Sequence, residues 1–132
     1  MTAGGIHAGN APKAVGSYPH ARRVGNLLFL SGIGPRAPGT DAIPDGIAAQ
    51  SRAVLANVRA VLEASAARWE DLVDVTVFLT DMARDFNGWN AVWAEHFPDA
   101  ARAPCRTTVG VTALPTPIAV ELKCIAVMED PA

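Results

Sequence analysis

Alternation of apolar and polar residues marks the last part of the chain as extended. From Ile118 to Met128 the apolar side chains Ile118, Val120, Leu122, Cys124, Ala126 and Met128 fall on every second position, and in a strand such positions share one face. On the opposite face Glu121 and Lys123 stand between Ala119 and the apolar pair Ile125 and Val127. Arg106–Val111 reads as a second extended segment, with Arg106, Thr108 and Gly110 on one face and Thr107, Val109 and Val111 on the other. Pro115 and Pro117 lie in the connection. If the two segments pair as neighbours, Arg106, Thr108 and Glu121 look into one space. A guanidinium fork, a hydroxyl and a carboxylate in an otherwise apolar strand pair suit a site better than a surface.

The earlier chain supplies the scaffold. His20–Val24 and Leu27–Ser31 flank Gly25-Asn26, which predicts a hairpin. The stretch from Ile33 to Gly46 is rich in Pro and Gly and reads as irregular. Asp45 can cap a helix over Ile47–Ser65, where Ile47, Val54, Leu55, Val58, Val61 and Leu62 form an apolar stripe and Gln50, Arg52, Arg59 and Glu63 lie outside it. Leu72–Thr80 is a β-branched strand that turns Val73, Val75, Val77 and Leu79 to the helices. Asp81–Phe97 is a second helix, ended by Pro98, with Phe86, Trp89, Trp93 and Phe97 on its buried side and Asn90 beside them.

The order β-β-α-β-α-β-β predicts an α+β domain over residues 1–132, with two helices on one face of a mixed sheet. The far face carries Phe78, Ile125 and Val127 among polar residues. Such a face needs a cover, and a symmetric oligomer is the economical one.

Composition narrows the function. The 132 residues are 50% hydrophobic and 18% charged, enough apolar content for a core and too much for disorder. A net charge of −2 gives no footprint for nucleic acid. Cys105 and Cys124 form neither a disulfide framework nor a metal cluster, which suits a reducing cytosol. The N-terminal residues lack a signal-peptide pattern, and no apolar run is long enough to span a membrane. These features predict a soluble, cytoplasmic protein without nucleic-acid or membrane partners. His7, His20 and His96 show no metal spacing, and no phosphate loop or G-x-S-x-G motif occurs, which argues against metal, nucleotide and flavin cofactors.

Each candidate residue has an ordinary alternative. Arg106 can pair with a surface acid, Glu121 can face solvent, and Ser31-Gly32 can simply end a strand. Tyr18 can be loop packing and Asn90 helix solvation. Cys105 has no neighbour in sequence that would lower its pKa, so it reads as packing.

The segments NAPKAVGSYPHARRVGNLLFLSG, AAQSRAVLANVRAVLEAS, DLVDVTVFLTDM, FNGWNAVWAEHF and PCRTTVGVTALPTPIAVELKCIAV together resemble the Rid family of reactive intermediate/imine deaminases along nearly the whole chain. The resemblance implies a chorismate-mutase-like fold and a homotrimer with cofactor-free sites in clefts between subunits. It implies that Arg106 grips a substrate carboxylate, that Glu121 handles water and protons, and that Tyr18, Ser31, Gly32, Asn90, Thr107 and Thr108 line the site. Thr108 stands where many imine deaminases of the family carry Cys. With the segments around Tyr18, Ser31, Arg106 and Glu121, it resembles the 2-aminomuconate deaminase branch, which acts in bacterial breakdown of aromatic compounds. The expected reaction is hydrolysis of a 2-amino-enoate, through its imine, to ammonia and a 2-oxo acid. A dicarboxylate needs a second anion site, for which His20, Arg22 and Arg36 are candidates. Three other readings stand beside it: a broad-specificity 2-iminobutanoate/2-iminopropanoate deaminase, a non-catalytic trimer that binds small carboxylates, and a ribonuclease. The acidic balance speaks against the last.

Overall fold

Gly25, at φ 59°, takes a left-handed conformation that costs glycine no Cβ clash, and there the chain reverses between β1 (Ala21–Val24) and β2 (Leu27–Leu30). The computed structural model describes residues 4–129. After β2 come α1 (Ile47–Ala64), a 3-10 turn (Trp69–Asp71), β3 (Leu72–Leu79), α2 (Met82–His96), β4 (Cys105–Gly110) and β5 (Val120–Val127). The predicted order of elements holds. The strands form one mixed sheet in the order β1-β2-β5-β3-β4, in which only β3 and β4 are parallel.

The alternating apolar face of β5 is fully inside: Ile118, Val120, Leu122, Cys124, Ala126 and Met128 are all buried. Val54, Leu55, Val58, Val61 and Leu62 of α1 pack over it, and Trp89, Val92 and Trp93 of α2 complete the core. Both helices lie on this side. On the other side Val24, Leu27, Phe29 and Val127 remain exposed.

Four expectations fail, each for a local reason. The two C-terminal strands are not neighbours, because β3 lies between them. The connection 111–119 steps over the end of β3 and is tied there on both flanks: Val111 N–H donates to Leu79 O (2.9 Å), and Thr80 N–H donates to Ala119 O (3.1 Å). Asp45 does not cap α1; its N-cap is Gly46, with no side-chain bond. The anchor there is Gln50, expected outside but buried. Its Oε1 accepts from Ala119 N–H (2.8 Å) and its Nε2 donates to Pro44 O (3.1 Å). Finally, a register shift between Leu72 and Asp74 exposes Val73 and buries Leu72 instead.

Candidate active site

Register decides where the two principal candidates point. Arg106 is opposite Val75, whose side chain is buried on the helix side of the sheet. Glu121 is opposite Phe78, on the other side. With one strand between them and an offset of three residues along it, the two backbone positions lie about 10 Å apart laterally and about 10 Å apart axially. Within one chain they do not share a space, contrary to the expectation drawn from adjacent strands. Each instead belongs to a separate half-site.

The Glu121 half is built on backbone. Ile33 and Leu122 exchange two N–H···O bonds of 2.9 Å, so the loop after β2 continues the sheet beside β5. That brings Gly32 against the carboxylate. A Cβ at residue 32 would stand 3.0 Å from Glu121 Oε2 and 3.2 Å from its Cδ, so a larger residue would push the carboxylate aside by a few tenths of an ångström. Ser31 Oγ donates to Pro19 O (2.6 Å) and Ser31 N–H to His20 O (2.9 Å), which fastens the N-terminal loop alongside. The Tyr18 hydroxyl accepts from Val15 N–H (3.3 Å). A narrow cleft of about 30 Å³ among Tyr18, His20, Ser31 and Gly32 has room for little more than a water. Behind it, Asn57 of α1 donates from Nδ2 to both Gly34 O and Arg36 O (2.9 Å each), so a buried amide holds the loop's shape.

Glu121 itself is half-buried and, among the described residues, makes no hydrogen bond or ion pair. Loss of solvent alone pushes its pKa up. Lys123, two residues on and on the same face, turns its ammonium to Leu30 O instead.

The Arg106 half lies at the sheet edge under α2. A cleft of about 550 Å³ is lined by Asn90, Trp93, Phe97, Pro98 and Arg106 among others. Arg106 also lacks an acidic partner among the described residues, and burial lowers its pKa. Its guanidinium lies over the Trp93 ring, 5.0 Å from the centroid. Asn90 is exposed on α2 at the cleft mouth. Thr108, opposite Val77, shares the face of Arg106. Thr107, opposite Thr76, points to the other face and is exposed there. The carried-over residues therefore divide: Arg106, Asn90 and Thr108 in one group, Tyr18, His20, Ser31, Gly32 and Glu121 in the other, with Thr107 apart from Arg106.

Of the three candidate cations for a second anion site, His20 and Arg36 both line the cleft beside Gly32, and each already has partners there. Both ring nitrogens of His20 are occupied: Nδ1 accepts from Ala8 N–H (2.9 Å), and Nε2 donates to Pro12 O (2.7 Å). Arg36 is paired with Asp41 (2.7 Å) and bonded to Lys13 O (2.7 Å). Arg22 is exposed on β1, opposite Phe29. Among the described residues no group of three His, Cys, Asp or Glu side chains could hold a metal ion, and no helix is long and apolar enough to cross a membrane.

Sequence reasoning missed two supports. Trp93 is in the core as its helical spacing predicts, but its second role beneath Arg106 was signalled only by its place one turn after Asn90. Asn57 carried no signal beyond a polar residue inside an apolar stripe.

Known proteins extend the picture. Residues 8–128 match the family model described as Endoribonuclease L-PSP. A RutC family protein of Pyrococcus horikoshii is 42% identical over 125 residues, covering 94% of this chain and 97% of that one. The 2-iminobutanoate/2-iminopropanoate deaminase of Escherichia coli K12 is 39% identical over 119 residues, covering 89% and 92%. The crystal structure of E. coli TdcF with bound serine superposes with a TM-score of 0.88 at 34% identity, covering 96% of this chain and all of that one. On this ground the chain belongs to the Rid family, the endoribonuclease L-PSP fold family that includes imine deaminases.

Proposed function

We propose that the chain is a cofactor-free hydrolase of small 2-imino acids, releasing ammonia and a 2-oxo acid. The observation that carries this reading is a pair of unsatisfied charges. Glu121 and Arg106 are each partly desolvated and, among the described residues, without a counter-charge; Arg106 lines one cleft and Glu121 lies against Gly32, which lines another. Such groups are costly unless a ligand uses them.

The two halves complete each other only between copies. Arg106 of one copy takes the substrate carboxylate by two parallel N–H···O bonds and draws electron density from the neighbouring imine carbon. Glu121 of the facing copy accepts a proton from water as its oxygen bonds to that carbon. It returns this proton to the nitrogen, then carries the proton of the new hydroxyl to the same nitrogen as the C=O double bond forms, the C–N bond breaks and ammonia leaves. The raised pKa of Glu121 suits both transfers, because it brings the group nearer neutral pH. The exposed apolar residues on the open sheet face favour a symmetric oligomer, and the family resemblance implies a trimer; sedimentation should then give three times the 13.8 kDa chain mass.

Substrate size follows from cation count. A 2-imino monocarboxylate needs Arg106 alone, whereas 2-aminomuconate needs a second cation; His20 and Arg36 are already engaged, which leaves exposed Arg22 of β1 for that task. The similarity to a 2-iminobutanoate/2-iminopropanoate deaminase points the same way, so the small-substrate reading has more support than the aminomuconate branch. Glu121→Ala should lower ammonia release from an enamine generated in situ by at least about 100-fold while the melting transition is kept. Parental turnover in a folded variant would refute the mechanism.

The family's description motivates a ribonuclease as second reading. RNA incubated with pure protein and chelator should stay intact; cleavage that persists in Arg106→Ala would favour that reading instead.

A further inference from the structure

Arginine in a protein is usually held by an acid, and Arg106 is held by a ring. Trp93 lies beneath its guanidinium and is itself firmly seated. Its exposure is 9%, its centroid is 5.8 Å from that of Trp89, and 4.4 Å from that of Phe97. Phe97 in turn stacks on Trp69, 5.0 Å away with ring planes within 10°. Trp69 carries a second guanidinium, that of Arg59, at 4.2 Å. An aromatic row thus runs from the surface at Arg59 to the candidate site.

A guanidinium bound through the face of an aromatic ring is held by the ring's quadrupole and not through its N–H donors. All five N–H groups stay available to a ligand. An acidic partner would occupy those donors and repel an incoming carboxylate. The ring does neither, yet it restrains a long side chain whose freedom the ligand would otherwise have to remove.

We infer that Trp93 is a positioning residue for the reaction: its indole face holds the Arg106 guanidinium ready to receive the substrate carboxylate, in place of an acidic partner. This inference rests on the carboxylate grip assigned to Arg106 above.

The test is a double-mutant cycle read by calorimetry with 2-oxobutanoate, alongside ammonia-release kinetics. Trp93→Leu should weaken binding by about 3- to 30-fold, the range of a partly desolvated cation–π contact. The loss should appear mainly in KM and less in kcat. Trp93→Phe, which keeps a smaller aromatic face, should recover most of it. In an Arg106→Ala background Trp93→Leu should add nothing, because the contact is already absent. Melting curves identify variants that have lost the fold, and for those Trp93→Phe and Trp93→Tyr carry the comparison. An unchanged KM in folded Trp93→Leu, or an equal loss in both backgrounds, would overturn the inference and leave Trp93 as packing alone. If Arg106→Ala alone binds 2-oxobutanoate as the parent does, the carboxylate grip itself falls, and the role of Trp93 with it.

Discussion

The two half-sites are made in opposite ways. The Glu121 half is narrow and backbone-built: loop and strand share hydrogen bonds, Gly32 lies against the carboxylate, and the adjoining cleft admits little more than a water. The Arg106 half is wide, side-chain-built and set at an unpaired sheet edge under an aromatic row. One suits a water and a proton, the other a carboxylate on a small organic acid. A division of this kind lets the tight half keep its geometry while the open half determines what is bound. It also explains why neither charge has a partner among the described residues of its own chain.

Mixing puts that division to its largest test. Arg106→Ala and Glu121→Ala homo-oligomers should both be inactive. Denatured and refolded together in equal amounts, they should regain about a quarter of parental activity, because a quarter of the head-to-tail contacts then join an intact Arg106 to an intact Glu121. No recovery in assemblies shown by mass to be mixed would place both groups in a site of one chain and break the comparison.

A smaller change probes the tight half alone. Gly32→Ala places a methyl 3.0 Å from Glu121 Oε2, and kcat should fall about 10-fold through displacement of the carboxylate, while binding of 2-oxobutanoate at Arg106 is retained. An equal fall in binding would show that the halves are not separable in this way.

Two effects on stability sharpen the contrast further. Asn57→Ala removes both amide bonds to Gly34 O and Arg36 O and should cost about 2 kcal/mol in denaturant unfolding. Glu121→Gln should act in the other direction. Burial raises the Glu121 pKa, so the folded chain binds this proton more tightly than the unfolded chain does. The stability is fully present below the unfolded value and is lost as pH rises through the folded one. The variant should melt with the parent in acid and above it at neutral pH, while ammonia release is lost. A lower Tm at neutral pH would mean that the carboxylate has a stabilising partner.

The repeating patterns were legible because they are local. Period-two alternation identified the buried face of β5 residue by residue, and helical spacing found the stripes of α1 and the aromatic side of α2. Strand neighbours were not legible. A connection with Pro115 and Pro117 fits a turn between adjacent strands or a step over a third, and competition for the sheet centre, won by β3, decides between them. The same limit applied to the site. Arg106 and Glu121 stood out by residue type, but the face each occupies follows from the register with Val75 and Phe78, which no local pattern encodes. Val73 and Gln50 were misassigned because a register shift and a buried amide both break simple periodicity.

The paired bonds between Ile33 and Leu122 have one more consequence. They join the wall beside Glu121 to the strand whose next side chain, Leu122, is in the centre of the core. This end of the cleft has no hinge of its own, so its amides should exchange with deuterium as slowly as the middle of the sheet. In the proposed assembly, entry and exit of small molecules would then depend on breathing between neighbouring copies, and turnover should fall when those copies are cross-linked.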